Sequence, residues 1–213
     1  MNLPNFLTII RMALVPVFIV FFYIGQSGGQ IYFFLAFVVF IAAAATDAVD
    51  GHIARKYDLI TNFGKLMDPL ADKVLTTAAS IIFVDVGMIP AWVVIVILAR
   101  EFIITGLRGV AASEGVVIAA GRSGKLKTFF QMTAICFILL AVAILGQLDA
   151  VVLVNPELSL MIFTGAVADG VFLQAFGALV AFIGIVLMWA AVVFTVYSGV
   201  EYLWKGRKLL NTK

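Results

Sequence analysis

The chain has 213 residues, 14 Lys and Arg against 12 Asp and Glu, one histidine, 64% apolar residues and only 12% charged ones. A soluble domain carries about 25% charged residues, so this composition, with its mean hydropathy of +1.16, excludes a soluble protein and points to an integral membrane one. The single cysteine, Cys136, excludes an intrachain disulfide framework and reads as a small core residue.

Apolar runs long enough to cross a hydrocarbon core of about 30 Å as helices fall near residues 6–25, 31–54, 66–86, 90–110, 127–147 and 171–203. They predict an all-α bundle of six transmembrane helices forming one domain over residues 1–213. The first run lacks a basic leading segment and a small-residue cleavage site and carries Arg11, so it reads as a retained helix rather than a signal peptide. Residues 150–168 are also apolar, but Asn155, Pro156 and Glu157 interrupt them, and an external loop or interfacial helix is expected there. A seventh span would also move Lys205, Arg207, Lys208 and Lys213 across the membrane.

Basic residues orient the bundle. They cluster at Arg55, Lys56 and Lys65, at Arg108 to Lys127, and at Lys205 to Lys213, while the connections at 25–30, 85–90 and 148–170 contain none. Short cytoplasmic loops retain Lys and Arg, so both termini are expected in the cytoplasm, and the protein in the cell membrane. No internal repeat or low-complexity tract interrupts this pattern.

The stretch DAVDGHIARKYDLITNFGKLMDPLAD covers residues 47–72. Asp47 and Asp50 stand three apart at the end of the second run, and Asp68 and Asp72 four apart at the start of the third, so each pair shares a helix face. An antiparallel hairpin would gather four carboxylates at membrane depth, where bare charges are costly. Two divalent ions balance their formal charge, and an all-oxygen donor set favours Mg²⁺, Mn²⁺ or Ca²⁺. Solvated charges at helix ends would account for any one aspartate but not for their common phase. His52 is rotated away from the Asp47/Asp50 face and reads as an interfacial side chain rather than a ligand.

Other residues frame the acids. Gly51, Ala54 and Gly64 lie on or beside the same faces, where small residues serve either ordinary helix packing or the approach of a flat ligand. Pro69 makes Asp68 a helix start or a kink. Arg55 and Lys73 flank the acids and suit a diphosphate. Asn5, Thr8 and Arg11 recur every three residues on the first run, presenting a polar face either to a nucleotide diphosphate or to a neighbouring helix. Farther along, Arg100, Arg108, Arg122, Lys125 and Lys127 are available to an anion; Arg100, mid-run beside Glu101, is held either by a substrate phosphate or by an internal ion pair. Arg122, Lys125 and Lys127 equally suit lipid headgroups.

The pattern D-x-x-D-G-x-x-A-R, eight residues, then G-x-x-x-D-x-x-x-D, carried by Asp47, Asp50, Gly51, Ala54, Arg55, Gly64, Asp68 and Asp72, resembles the signature of the CDP-alcohol phosphatidyltransferases. The six-run layout extends the resemblance over the chain. It implies a homodimeric membrane transferase in which Asp47, Asp50 and Asp68 hold two ions, Mg²⁺ or Mn²⁺, with the CDP diphosphate. Asp72 then serves as general base and also touches metal. Asn5, Thr8, Gly51, Ala54, Arg55, Gly64 and Lys73 complete the CDP-lipid site on this reading. The segments NLPNFLTIIRM (2–12), KLMDPLADKVL (65–75), AREFIITGLR (99–108) and GKLKTFFQM (124–132) are similar to members that join CDP-diacylglycerol to sn-glycerol 3-phosphate. That anionic acceptor needs cations, for which Arg100, Arg108, Arg122 and Lys125 stand ready.

Two alternatives differ in what they demand. Phosphatidylglycerol or an inositol phosphate as acceptor keeps the same signature and is separated by a substrate panel. A cation-coupled transporter would require inverted repeats with broken helices in both halves, whereas these acids sit in one hairpin.

Overall fold

In the computed structural model the described residues are 3–56, 62–113, 121–146, 156–168 and 170–210, and every regular element among them is a helix. The elements are α1 (Leu3–Gly28), α2 (Gln30–Lys56), α3 (Asn62–Asp85), α4 (Ala91–Ser113), α5 (Arg122–Leu145), α6 (Pro156–Ala168) and α7 (Phe172–Leu210). α1 to α5 and α7 take up the six apolar runs, each a few residues longer than hydropathy alone marks. α3 starts at Asn62, so Pro69 lies inside it rather than beginning it.

Phe6–Gly28, Ser123–Leu145 and Phe172–Trp204 are long and apolar enough to cross a membrane, and the protein is membrane-embedded. The stretch Gln30–Thr46 of α2 is apolar as well, and Asp47 follows it in the sequence.

Residues 156–168 form a helix, α6, whose 13 described residues reach about 20 Å. Pro156 sits at the first helical position, where its missing N–H costs nothing, and Glu157 follows in the first turn. The turn into α7 is made at Gly170, φ 71°, with Gly170 N–H on Val167 O at 3.3 Å and Val171 N–H on Ala166 O at 2.9 Å. That left-handed residue closes the helix end in a geometry a side chain would strain.

Because lipid tails are as apolar as leucine, contact between these helices comes from packing and internal hydrogen bonds. Phe18 and Phe22 of α1 meet Phe40 and Phe33 of α2 at ring-centroid distances of 5.6 and 5.3 Å, and Phe22 meets Phe83 of α3 at 6.5 Å. α5 lies along α7 through small residues: Ala134, Ala141, Ala178 and Ala181 are fully buried. A Cβ on Gly184 would stand 3.0 Å from Ile138 Cγ1 and 3.1 Å from Ile138 N, so the two backbones nearly touch. α4 packs on α7 and on α3. It reaches α5 through long side chains, which leaves a polar space among α3, α4 and α5.

Candidate functional site

That space is a cavity of about 350 Å³ lined by Lys73 and Thr76 of α3, by Arg100, Glu101, Ile104, Thr105 and Arg108 of α4, and by Thr128 and Gln131 of α5. The helical repeat explains the α4 set, since positions 101, 104, 105 and 108 fall on one face. Lys73 Nζ donates to Thr105 Oγ1 at 2.7 Å, tying α3 to α4. Lys127 of α5, buried to 1% exposure, pairs with Glu101 Oε1. The internal ion pair foreseen for Arg100 therefore belongs to Lys127 and Glu101. Lys127, grouped in the sequence with the anion-binding cations, is held by a carboxylate.

Arg100 is instead anchored on α7. Its Nε donates to Ser198 Oγ at 3.0 Å, and its guanidinium carbon lies 5.8 Å from the centroid of the Tyr202 ring. Gly124 makes room for it, because a Cβ there would come within 3.1 Å of Arg100 Nη2. Arg108 stands over the same ring at 5.4 Å and donates from Nη2 to the Tyr202 hydroxyl at 2.9 Å. That hydroxyl also accepts the Gly121 N–H at 2.6 Å, and Ser123 Oγ donates to Glu201 Oε2 at 2.5 Å. Two guanidinium groups on one ring repel each other, and Arg108 Nε is buried with no hydrogen-bond partner among the described residues. With Lys73 as third cation, and the charge of Glu101 cancelled by Lys127, the lining suits a dianion.

Sequence reading found Lys73, Arg100 and Arg108 but assigned Lys73 to the CDP-lipid; here it shares a cavity with the other two. It missed Ser198 and Tyr202. Thr195, Ser198 and Tyr202 are buried polar residues at i, i+3 and i+7 of the last helix, a polar stripe that helical spacing exposes. Lys125 is exposed and stands outside the cavity lining. Arg122 opens α5, but its side chain lies outside the described residues.

The backbone of α2 carries Asp47, Asp50, Gly51, His52, Ala54 and Arg55 in its last turns, and that of α3 carries Gly64, Asp68 and Asp72. α2 and α3 pack on each other. The side chains of these residues and of Asn5 lie outside the described residues. Lys73, which lines the cavity, follows Asp72 directly in α3. On α1, Thr8 and Arg11 are buried to 1% and 0% exposure. Arg11 Nε lies 3.4 Å from Thr46 Oγ1, one residue before Asp47, and Thr46 donates to Ala43 O at 2.6 Å. Arg11 of α1 thus meets α2 one residue before Asp47 in the sequence.

This helical frame and acidic signature agree with comparison to known proteins. The family model for CDP-alcohol phosphatidyltransferase matches residues 1–197, and the chain belongs to that family. It is 39% identical, over 99% of its length and 98% of the relative's, to the CDP-diacylglycerol–glycerol-3-phosphate 3-phosphatidyltransferase of Bacillus subtilis (strain 168). The protein of the same name from Rickettsia typhi is 43% identical over 65% of this chain and 76% of its own. A third, from Mycoplasma pneumoniae, is 37% identical over 64% of this chain and 68% of its own.

Proposed function

We propose that the chain is a phosphatidylglycerophosphate synthase, transferring the phosphatidyl group of CDP-diacylglycerol to sn-glycerol 3-phosphate with release of CMP. The observation that carries this reading is the convergence of Lys73, Arg100 and Arg108 on one cavity, Lys73 being the residue after Asp72 in α3. A neutral alcohol has no use for three cations, whereas a phosphate monoester accepts their charge-assisted hydrogen bonds. Arg100 and Arg108 bind the acceptor phosphate from the cavity lining on this reading, with Arg122 and Lys125 as further cations for it and Lys73 between it and the donor. The names of the relatives support the same acceptor.

The donor set fits two divalent ions, Mg²⁺ or Mn²⁺, because carboxylates at i, i+3 on α2 and i, i+4 on α3 offer oxygen alone. Asp47, Asp50 and Asp68 would hold them, with Asp72 next along α3, and when bound they would offset the charge of the diphosphate and of the departing CMP phosphate. The acceptor hydroxyl oxygen forms its bond to the phosphatidyl phosphorus as the bond to CMP breaks. Asp72 takes the hydroxyl proton. Asn5, Thr8, Gly51, Ala54, Arg55 and Gly64 line the CDP-lipid on this reading.

The same reading sets the protein in the cell membrane with six spans, both termini and the active site cytoplasmic, and α6 interfacial on the far side. It works as a homodimer. A panel of acceptors with CDP-diacylglycerol and Mg²⁺ in detergent, read by CMP release, tests the assignment. Glycerol 3-phosphate should be used far better than phosphatidylglycerol or an inositol phosphate. A preference for either of those would reassign the acceptor.

A further inference from the structure

Glu101 is the one carboxylate among the described residues lining the cavity, beside three cations and the neutral polar groups of Thr76, Thr105, Thr128 and Gln131. Its Oε1 accepts from Lys127, which is 1% exposed and does not line the cavity, while Glu101 itself keeps 15% exposure. An uncompensated carboxylate here would repel a phosphate; the ammonium buried behind it cancels that charge. What Glu101 then offers is a hydrogen-bond acceptor with no donor of its own. Phosphate oxygens need donors, so this group is mismatched to the phosphate and matched to an O–H. Along α4, Glu101, Thr105 and Arg108 stand at i, i+4 and i+7 on one face, about 10 Å from end to end. One wall of the cavity thus carries a cation at one end and an acceptor for a hydroxyl at the other.

We propose that Glu101 determines specificity by accepting a hydrogen bond from the acceptor's second hydroxyl, the one that does not attack, so that the site selects a phosphorylated diol over a phosphorylated simple alcohol. Lys127 is a positioning residue that holds the carboxylate in place and offsets its negative charge. This rests on glycerol 3-phosphate being the acceptor. A site built to pair a substrate hydroxyl rejects an analogue lacking it, because the buried polar group is then left unmatched, and a charged partner makes the factor about tenfold to a hundredfold.

The test compares kcat/KM for glycerol 3-phosphate with that for 3-hydroxypropyl phosphate, which keeps the primary hydroxyl and lacks the secondary one. The wild type should prefer glycerol 3-phosphate by about tenfold to a hundredfold, a ratio that needs no variant. Glu101→Met combined with Lys127→Met removes the pair without stranding a charge, and should bring the two substrates within about threefold of each other. Equal use of both substrates by the wild type overturns the proposal. So does a folded double variant with the wild-type ratio, since the hydroxyl is then read elsewhere. Failure of the wild type to use glycerol 3-phosphate, with CMP still released to another acceptor, overturns the functional reading beneath it.

Discussion

Arg108 and Tyr202 stand 94 residues apart in sequence, yet Arg108 Nη2 donates to the Tyr202 hydroxyl at 2.9 Å and so fixes α4 against α7 at the cavity wall. A hydrogen bond with one charged partner contributes about 1.5 to 3 kcal/mol, which here serves to hold Arg108 in place. Tyr202→Phe keeps the ring beneath both guanidinium groups and removes only the hydroxyl. It should raise the glycerol 3-phosphate KM by about threefold to tenfold and leave the CDP-diacylglycerol KM unchanged. Equal change in both would mark Tyr202 as a packing residue only.

Arg108 lines the cavity and Lys125 is exposed beyond it, so the two should differ in kinetic weight. Arg108→Ala should raise the glycerol 3-phosphate KM by about tenfold to a hundredfold, the loss of a charge-assisted contact. For Lys125→Ala about threefold is expected, because solvent screens an exposed cation. Steady-state kinetics with each substrate varied separately reads both. A lipid-binding role for either residue predicts unaltered acceptor KM and sensitivity to anionic lipid in the vesicles instead.

The aspartates divide by role. EDTA should abolish transfer and Mg²⁺ or Mn²⁺ restore it. Asp72→Asn should remove turnover yet retain binding of the CDP-lipid, while Asp50→Asn should weaken both, as seen by equilibrium binding beside turnover. Near-normal turnover in Asp72→Asn would contradict its assignment as base.

Packing between α5 and α7 should tolerate no added bulk at Gly184, where a Cβ meets the Ile138 backbone at 3.1 Å. Gly184→Ala should cost about 1 to 3 kcal/mol in detergent unfolding, the usual penalty for overfilling a tight contact. Gly165→Ala on α6 has nothing within 4 Å and should be neutral or slightly stabilising, since alanine is the better helix former. Equal effects of the two would mean that the α5–α7 contact is looser than its geometry.

Hydropathy made α1 to α5 and α7 legible, because each is an apolar run bounded by Gly, Pro or charge. α6 was half legible. Asn155, Pro156 and Glu157 read as an interruption of a span, but Pro at the first helical position and an acid in the first turn also mark a helix start. At the site, spacing exposed the aspartates and the cations, since periodicity on one helix is visible in one sequence. Pairing between helices was not. Which base meets Glu101, and that Arg100 rests on Ser198 across 98 residues, depends on how α4 packs against α5 and α7, which local pattern does not encode.

The central claim, transfer to glycerol 3-phosphate in the cavity lined by Lys73, Arg100 and Arg108, is tested most directly by product identity. Purified protein would be given CDP-diacylglycerol, Mg²⁺ and radiolabelled sn-glycerol 3-phosphate, and the lipid phase separated. Label should appear in phosphatidylglycerophosphate with CMP released in equal amount, and both should fall sharply with Arg108→Ala at low acceptor concentration. Label confined to the aqueous phase while another alcohol acceptor is consumed would contradict the account.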